Sequence, residues 1–234
     1  MGHTAGRTKR QRQRGLNMRM YNPEWEAIKR FNYTPRYTDL QFDLAGFEIP
    51  ADHGHALFEE IARHLPWLRD TPSVGIHPVH GAPSGRNDNL VINRRVKLVL
   101  RLPVDRVSDA QALVDKEIDP GAGQLRIGAL KEKPVMPYAT LYSHFVTVAN
   151  DDEAGFLNDI RTQLQEMEIV AGLIPGKPQK MNIPKRVIGG YSLMLHDVDL
   201  MQSLALQERG LGLYRGYGCG IFIPHKSIKA VAID

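Results

Sequence analysis

The sequence predicts an α+β fold of two tandem ferredoxin-like units, each βαββαβ and RRM-like, behind a basic N-terminal arm. Three observations predict it. Polar and apolar residues alternate over stretches of strand length, the stretches between them repeat apolar residues at helical spacing, and the order β-α-β-β-α-β occurs twice. The expected division is residues 1–36 for the arm, 37–133 for the first unit and 134–234 for the second, joined around 131–137.

In "TDLQFDLAGFEIP", Leu40, Phe42 and Leu44 alternate with Asp39, Gln41 and Asp43, the period of a half-buried strand with an acidic second face. After Pro50, "ADHGHALFEEIARHLPWL" repeats Leu57, Ile61 and Leu65, which predicts a helix capped by Asp52 and ending near Pro66. A short "VGIHPVHG" follows. "NLVINRRVKLVLRLP" resumes strand alternation, with Val96, Leu98, Leu100 and Leu102 on one face and Arg95, Lys97 and Arg101 on the other. "DRVSDAQALVDKEI" reads as a second helix and "GQLRIGA" as the closing strand. Because the ferredoxin-like order sets this third strand beside the first, its cations are expected to pair with Asp39 and Asp43.

The pattern then recurs. "ATLYSHFVTVA" is a strand, "DDEAGFLNDIRTQLQEMEI" a helix with acidic residues in its first turn, "PQKMNI" a weak strand and "RVIGGYSLMLHDV" a stronger one. "DLMQSLALQERG" is the last helix and "CGIFIP" the last strand.

A chain of 234 residues with 42% hydrophobic content is long enough to bury a real core. Cys219 is the one cysteine, which excludes an internal disulfide and a cysteine metal cluster and points to a reducing, cytoplasmic compartment. No apolar run reaches the ~18 residues of a membrane span, so no membrane partner is expected. Residues 1–36 carry nine Lys or Arg against Glu24 and Glu26, or +7, leaving −3 for the rest of a +4 chain. Such an arm either tracks phosphate backbones or serves as a solubilising leader.

The stretch "LQERGLGLYRGYGCGIFIPHK" connects the last helix to the last strand. Gly210, Gly212, Gly216, Gly218 and Gly220 allow a polyanion to approach the main chain, with Arg209, Arg215 and Lys226 supplying charge. The other reading is a tight turn in which Gly210 caps the helix and the remaining glycines relieve crowding.

A doubled ferredoxin-like chain with this loop before its last strand resembles the repeat-associated RNA-binding (RAMP) superfamily of CRISPR systems. Within it, the chain is similar to the processing endoribonucleases of the Cas-six family. "IPADHGHALF", "VGIHPVHG" and "GGYSLMLHDVDLMQSLALQERGLG" further resemble the variant of that family named for myxobacterial systems. The resemblance spans roughly residues 37 to 226. It implies cleavage of CRISPR precursor RNA within each repeat, without metal or other cofactor, leaving a 5′-hydroxyl and a 2′,3′-cyclic phosphate. The implied partners are the repeat RNA (pre-crRNA) and other effector subunits. A non-catalytic RNA-binding RAMP subunit is the alternative, since the superfamily shares the double fold and the glycine loop.

Metal-free RNA cleavage needs a base for the 2′-hydroxyl, an acid for the departing 5′-oxygen and a cation for the phosphorane. His53 is the chosen base: it stands in "ADHG", at a helix start whose partial positive charge favours neutral imidazole. The competing reading makes it only a capping residue. His64 is the runner-up, on the same helix flank but about 16 Å along the axis, and His55 points to the opposite side and is expected to be solvated. His77 and His80 are expected to line the RNA site, their two imidazoles being too few for a metal centre. His225 and Lys226 are expected near phosphate, and Arg86, in a polar loop, near an RNA stem. His144 and His196 fall in strand patterns and read as packing residues. RNA is expected on the glycine loop, the first helix and the groove between units, because the sheets lack the aromatic signature of base-stacking RNA-recognition domains.

Overall fold

The computed structural model describes residues 33–149 and 152–226, together with Ile28. Most of the expected basic arm therefore lies outside the described residues. The first unit comprises β1 (Tyr37–Ala45), β2 (Glu48–Pro50), α1 (Gly54–His64), β3 (Gly75–Ile76), β4 (Ala82–Pro83) and β5 (Asn89–Val91). It continues with β6 (Lys97–Pro103), the short α2 (Val107–Ala110), β7 (Glu117–Ile118) and β8 (Leu125–Pro134). The second comprises β9 (Leu141–Val146), α3 (Glu153–Glu166), β10 (Gly172–Ile183), β11 (Arg186–His196), α4 (Leu200–Arg209) and β12 (Ile223–Pro224).

The first sheet runs β3-β6-β1-β8-β7 and the second β10-β11-β9-β12, with antiparallel neighbours throughout. In each, the unit's first strand sits between its third and its fourth, the ferredoxin-like arrangement. Alternation is realised as read: Leu40, Phe42 and Leu44 of β1 join Leu98, Leu100 and Leu102 of β6 in one core, against Leu57 and Ile61 of α1. Phe156, Ile160 and Leu164 of α3 cover Leu141, Leu193 and Leu195 of the second sheet. Asp152 and Asp199 cap α3 and α4 through backbone N–H groups of Gly155 and Met201.

Four expected elements differ. The strand anticipated over 89–103 breaks at Asn93, whose side chain accepts the Arg95 N–H in a local turn. Its first half, β5, leaves for a separate three-stranded sheet ordered β2-β5-β4. The helix anticipated over 105–118 shrinks to α2 between single 3-10 turns, since Val107, Ser108, Asp109 and Val114 are poor helix formers and, before Ile118 of β7, only Ala110 and Leu113 are buried there. The weak strand at 178–183 is a twelve-residue edge strand whose pairing shifts between Pro175 and Pro178, where proline cannot donate to a ladder. The last strand keeps only two residues, because Cys219–Phe222 are spent in the packed turn before it.

The open faces of the two sheets meet, and buried arginines join them. Arg101, 1% exposed, makes a two-pronged ion pair with Asp39 at 2.7 and 2.9 Å and donates through Nη1 to the carbonyl of Phe222 at 2.5 Å. The expected pair Lys97–Asp43 also forms, at 2.7 Å. Burial alone raises the Asp39 carboxyl, but hydrogen bonds from Arg101 and then His77 outweigh it and hold it well below the usual carboxylate range.

Replacing Arg101 by Met is expected to cost about 3–5 kcal/mol of unfolding free energy in urea, because it strands a buried carboxylate; a loss under about 1 kcal/mol would refute the role. Asp39 stabilises the wild type above its unfolded pKa of about 4, and that contribution fades as pH falls toward the lower folded value. Thermal melts from pH 6 to 3 should accordingly show a steeper acid loss for wild type than for the variant.

Candidate functional site

The sequence of α1 begins with a glycine because nothing larger fits: a Cβ on Gly54 would lie 2.4 Å from the Tyr217 carbonyl. This contact draws the glycine loop of the second unit over the start of α1. Along the seam between the units run adjoining cavities of about 310, 430 and 220 Å³. Tyr217 is shared by the first two, and His80, His144 and Gly218 by the second and third.

The glycine loop holds the units together, and its polar groups face inward. The N–H groups of Gly210, Gly212, Gly218 and Gly220 donate to Leu206 O, Gln163 Oε1, Arg215 O and Phe145 O. These four N–H groups are used within the fold and are not turned toward a phosphate, which corrects the expectation for those four glycines. Gly210, at φ 70°, caps α4, as the turn reading has it. Arg215 is also corrected: at 8% exposure it donates to the carbonyls of Ser73 and Gln207, and burial followed by the Arg101 charge pushes it down to about 9. Cys219 is buried in the same turn, and burial pushes its thiol up to about 12.

His53 is 4% exposed and both ring nitrogens are engaged. Nδ1 lies 2.8 Å from the Pro50 carbonyl and must donate to it; Nε2 accepts the Val79 N–H at 2.9 Å. The ring is thus a neutral imidazole of fixed tautomer, with burial as the main cause of its lowered pKa. Neutrality is as expected, but the cause is burial and the basic nitrogen is not open to a substrate. Asp52 does not cap α1 either; its carboxylate accepts from the backbone and side chain of Asn182 on β10. His64 faces the Glu117 carbonyl at 3.3 Å, at the far end of α1, and lines none of the three cavities.

By holding Val79, His53 fixes the loop that carries His80. The His80 ring lies 4.1 Å from that of His144, centroid to centroid. One imidazole comes from each unit. Burial lowers the pKa of His80, and burial followed by the His80 and His77 charges brings His144 down to about 4. His144, expected as a packing residue, thus lines the groove, and the row continues through Tyr142 at 4.9 Å to His225. The alternation of "LYSHFV" carries the signal: Leu141, Ser143 and Phe145 are buried, which turns Tyr142 and His144 to the open face. His196 packs over Gly172.

His77 lies deeper, its Nε2 3.5 Å from Asp39, with burial lowering its pKa. Exposed cations border the seam: Arg209 at the first cavity, Lys180 at the second and Arg95 at the third. His225 and Lys226 are exposed after β12, while Arg86 sits in the exposed turn between β4 and β5. His55 is part-exposed, its ring edge-on to Tyr217 at 5.2 Å. Among the described residues, no three His, Cys, Asp or Glu side chains converge as metal ligands, and no helix is long and apolar enough to cross a membrane.

Residues 38–227 match the family model described as Cas6 Crispr. The CRISPR-associated endonuclease Cas6 of Myxococcus xanthus (strain DK1622) is 30% identical over 189 residues, covering 80% of this chain and 81% of its own. Among solved structures, a CRISPR associated protein Cas6 superposes with a TM-score of 0.59 at 12% identity, over 81% of this chain and 100% of its own. A Cas6-related protein from Pyrococcus furiosus gives 0.60 at 12% identity, over 80% and 98%. These two support the double fold alone. With the family model spanning both units and a relative matched over four-fifths of each chain, the protein belongs to the Cas6 family of CRISPR-associated proteins.

Proposed function

We propose that this chain is a metal-independent endoribonuclease that cleaves CRISPR precursor RNA within its repeats. The observation that carries the site assignment is the contact of His80 with His144, one imidazole from each unit, in a groove bordered by Lys180. Family membership and the endonuclease activity named for the Myxococcus relative support the reaction class.

The strand lies along the seam. One neutral imidazole of the pair takes the proton of the 2′-hydroxyl as that oxygen attacks phosphorus, and the O2′–P bond forms as the P–O5′ bond breaks. Lys180 offsets the growing charge of the phosphorane. The pair returns the proton to the departing 5′-oxygen, leaving a 5′-hydroxyl and a 2′,3′-cyclic phosphate. His53 is a positioning residue in this scheme: its Nε2 holds the Val79 N–H beside His80.

Labelled repeat RNA incubated in chelator is expected to be cut. His144→Ala should slow single-turnover cleavage by about 10²–10⁴-fold while repeat binding changes by a few-fold at most. Binding without cutting by wild type would identify a non-catalytic RNA-binding subunit, and wild-type rates for both His144→Ala and His80→Ala would move the base elsewhere, with His55 next in line.

The pH profile separates the pair from an ordinary exposed histidine. A base whose pKa is lowered is deprotonated above that value, so kcat/KM should persist down to about pH 5 and fall as pH approaches about 4. An inflection near ~6.5, the unperturbed histidine value, would contradict the assignment.

A further inference from the structure

The cavity of about 310 Å³ on the far side of Tyr217 takes no part in the proposed chemistry, yet it is built like a ligand site. Leu68, Val74 and Ile76 give it an apolar floor. Tyr214 and Tyr217 form one wall, their rings 15° from parallel with centroids 5.6 Å apart. Tyr214 is held in the left-handed region at φ 59°, a conformation unfavourable for a residue with a bulky side chain. The Arg186 guanidinium lies over its ring at 5.5 Å, and Arg209 is exposed at the rim. Aromatic side chains in the wall, an apolar floor and an exposed arginine, Arg209, at the mouth suit a planar ring that carries an anion. The volume lies at the low end of the ~300–1,000 Å³ usual for small-molecule sites.

We propose that this cavity receives one unpaired nucleobase of the bound RNA, in contact with the Tyr214–Tyr217 wall, with its phosphate directed to Arg209. The proposal rests on the RNA-processing reading above and adds to it a subsite that selects sequence. Because Tyr217 also borders the groove of His80 and His144, a base lodged here would fix the strand on one side while the scissile phosphate lies on the other.

Two measurements on the full chain test it. In the first, repeat RNAs carrying a single abasic residue at each position in turn are assayed for affinity. One position should lose about tenfold, and that loss should vanish in Tyr214→Leu, whereas Tyr214→Phe should keep it. In the second, nucleoside 5′-monophosphates and inorganic phosphate are titrated by saturation-transfer NMR. Base-proton signals that disappear in Tyr214→Leu support the subsite, and inorganic phosphate that displaces all four nucleotides equally would reduce it to an anion site and overturn the proposal. So would equal affinity for every abasic RNA. Arg209→Gln, far from the fold's core, serves as a second variant should Tyr214→Leu melt early, and is expected to weaken nucleotide binding without changing the abasic-sensitive position. The two readings fail separately: uncut repeat RNA with a Tyr214-dependent base signal would sink the nuclease, while cut RNA with no sensitive position would sink the pocket.

Discussion

The structure depends on a guanidinium that serves both halves of the chain. Arg101 grips Asp39 within its own sheet and, from the same buried group, donates to the carbonyl that ends the turn before the last strand of the other unit. An unpaired arginine at this depth would cost far more than the contact returns, so the pair with Asp39 is the condition for everything beyond it. Arg215 answers from the second unit by donating to Ser73 in the first. Both arginines approach the Gln207 carbonyl, at 3.4 and 2.8 Å, and with one carboxylate between them the site holds only if every carbonyl around it is aimed inward.

That constraint explains the glycine loop better than phosphate binding does. To bring its carbonyls to two buried guanidiniums, the chain between α4 and β12 must fold back on itself. A Cβ on Gly220 would meet the Leu211 carbonyl at 1.9 Å, and the N–H groups of Gly210, Gly212, Gly218 and Gly220 are all engaged in holding this turn. The loop then presses Tyr217 against α1 at Gly54, and the two units leave between them the groove in which His80 meets His144. Charge at the seam, tight turn, closed helix start and paired imidazoles form one chain of cause.

Legibility in the sequence followed the range of the forces. Period-two alternation in β1 and β6 and the doubled element order are local or nearly so, and they read correctly. The cross-strand pairing of Lys97 and Arg101 with Asp43 and Asp39 was also legible, because strand order alone sets those partners. What escaped depends on contacts between units. Nothing in "ADHG" says that His53 will be closed over by Val79, 26 residues later, or that Asp52 will turn to Asn182. Arg215 looks like any loop cation until the fold buries it. His144 was within reach, since alternation places it with Tyr142 on the open face, but the pattern could not say that the other unit supplies a partner there.

The electrostatics of the groove separate holding from cutting. Beyond the arm the chain is net acidic, so attraction for a polyanion must come from local cations. Residues 169–196 supply Lys177, Lys180, Lys185 and Arg186 with no acidic residue among them, on the hairpin that overhangs the second cavity. The imidazoles add nothing to this field while neutral. A value of about 4 makes His144 a weak base in the empty groove. A phosphate set beside it favours the protonated ring and raises that value, so the substrate itself brings the imidazole toward the range in which it takes a proton readily. Under the proposed reaction, the groove binds first through its lysines and arginines, and its imidazoles gain basicity once a phosphate lies beside them.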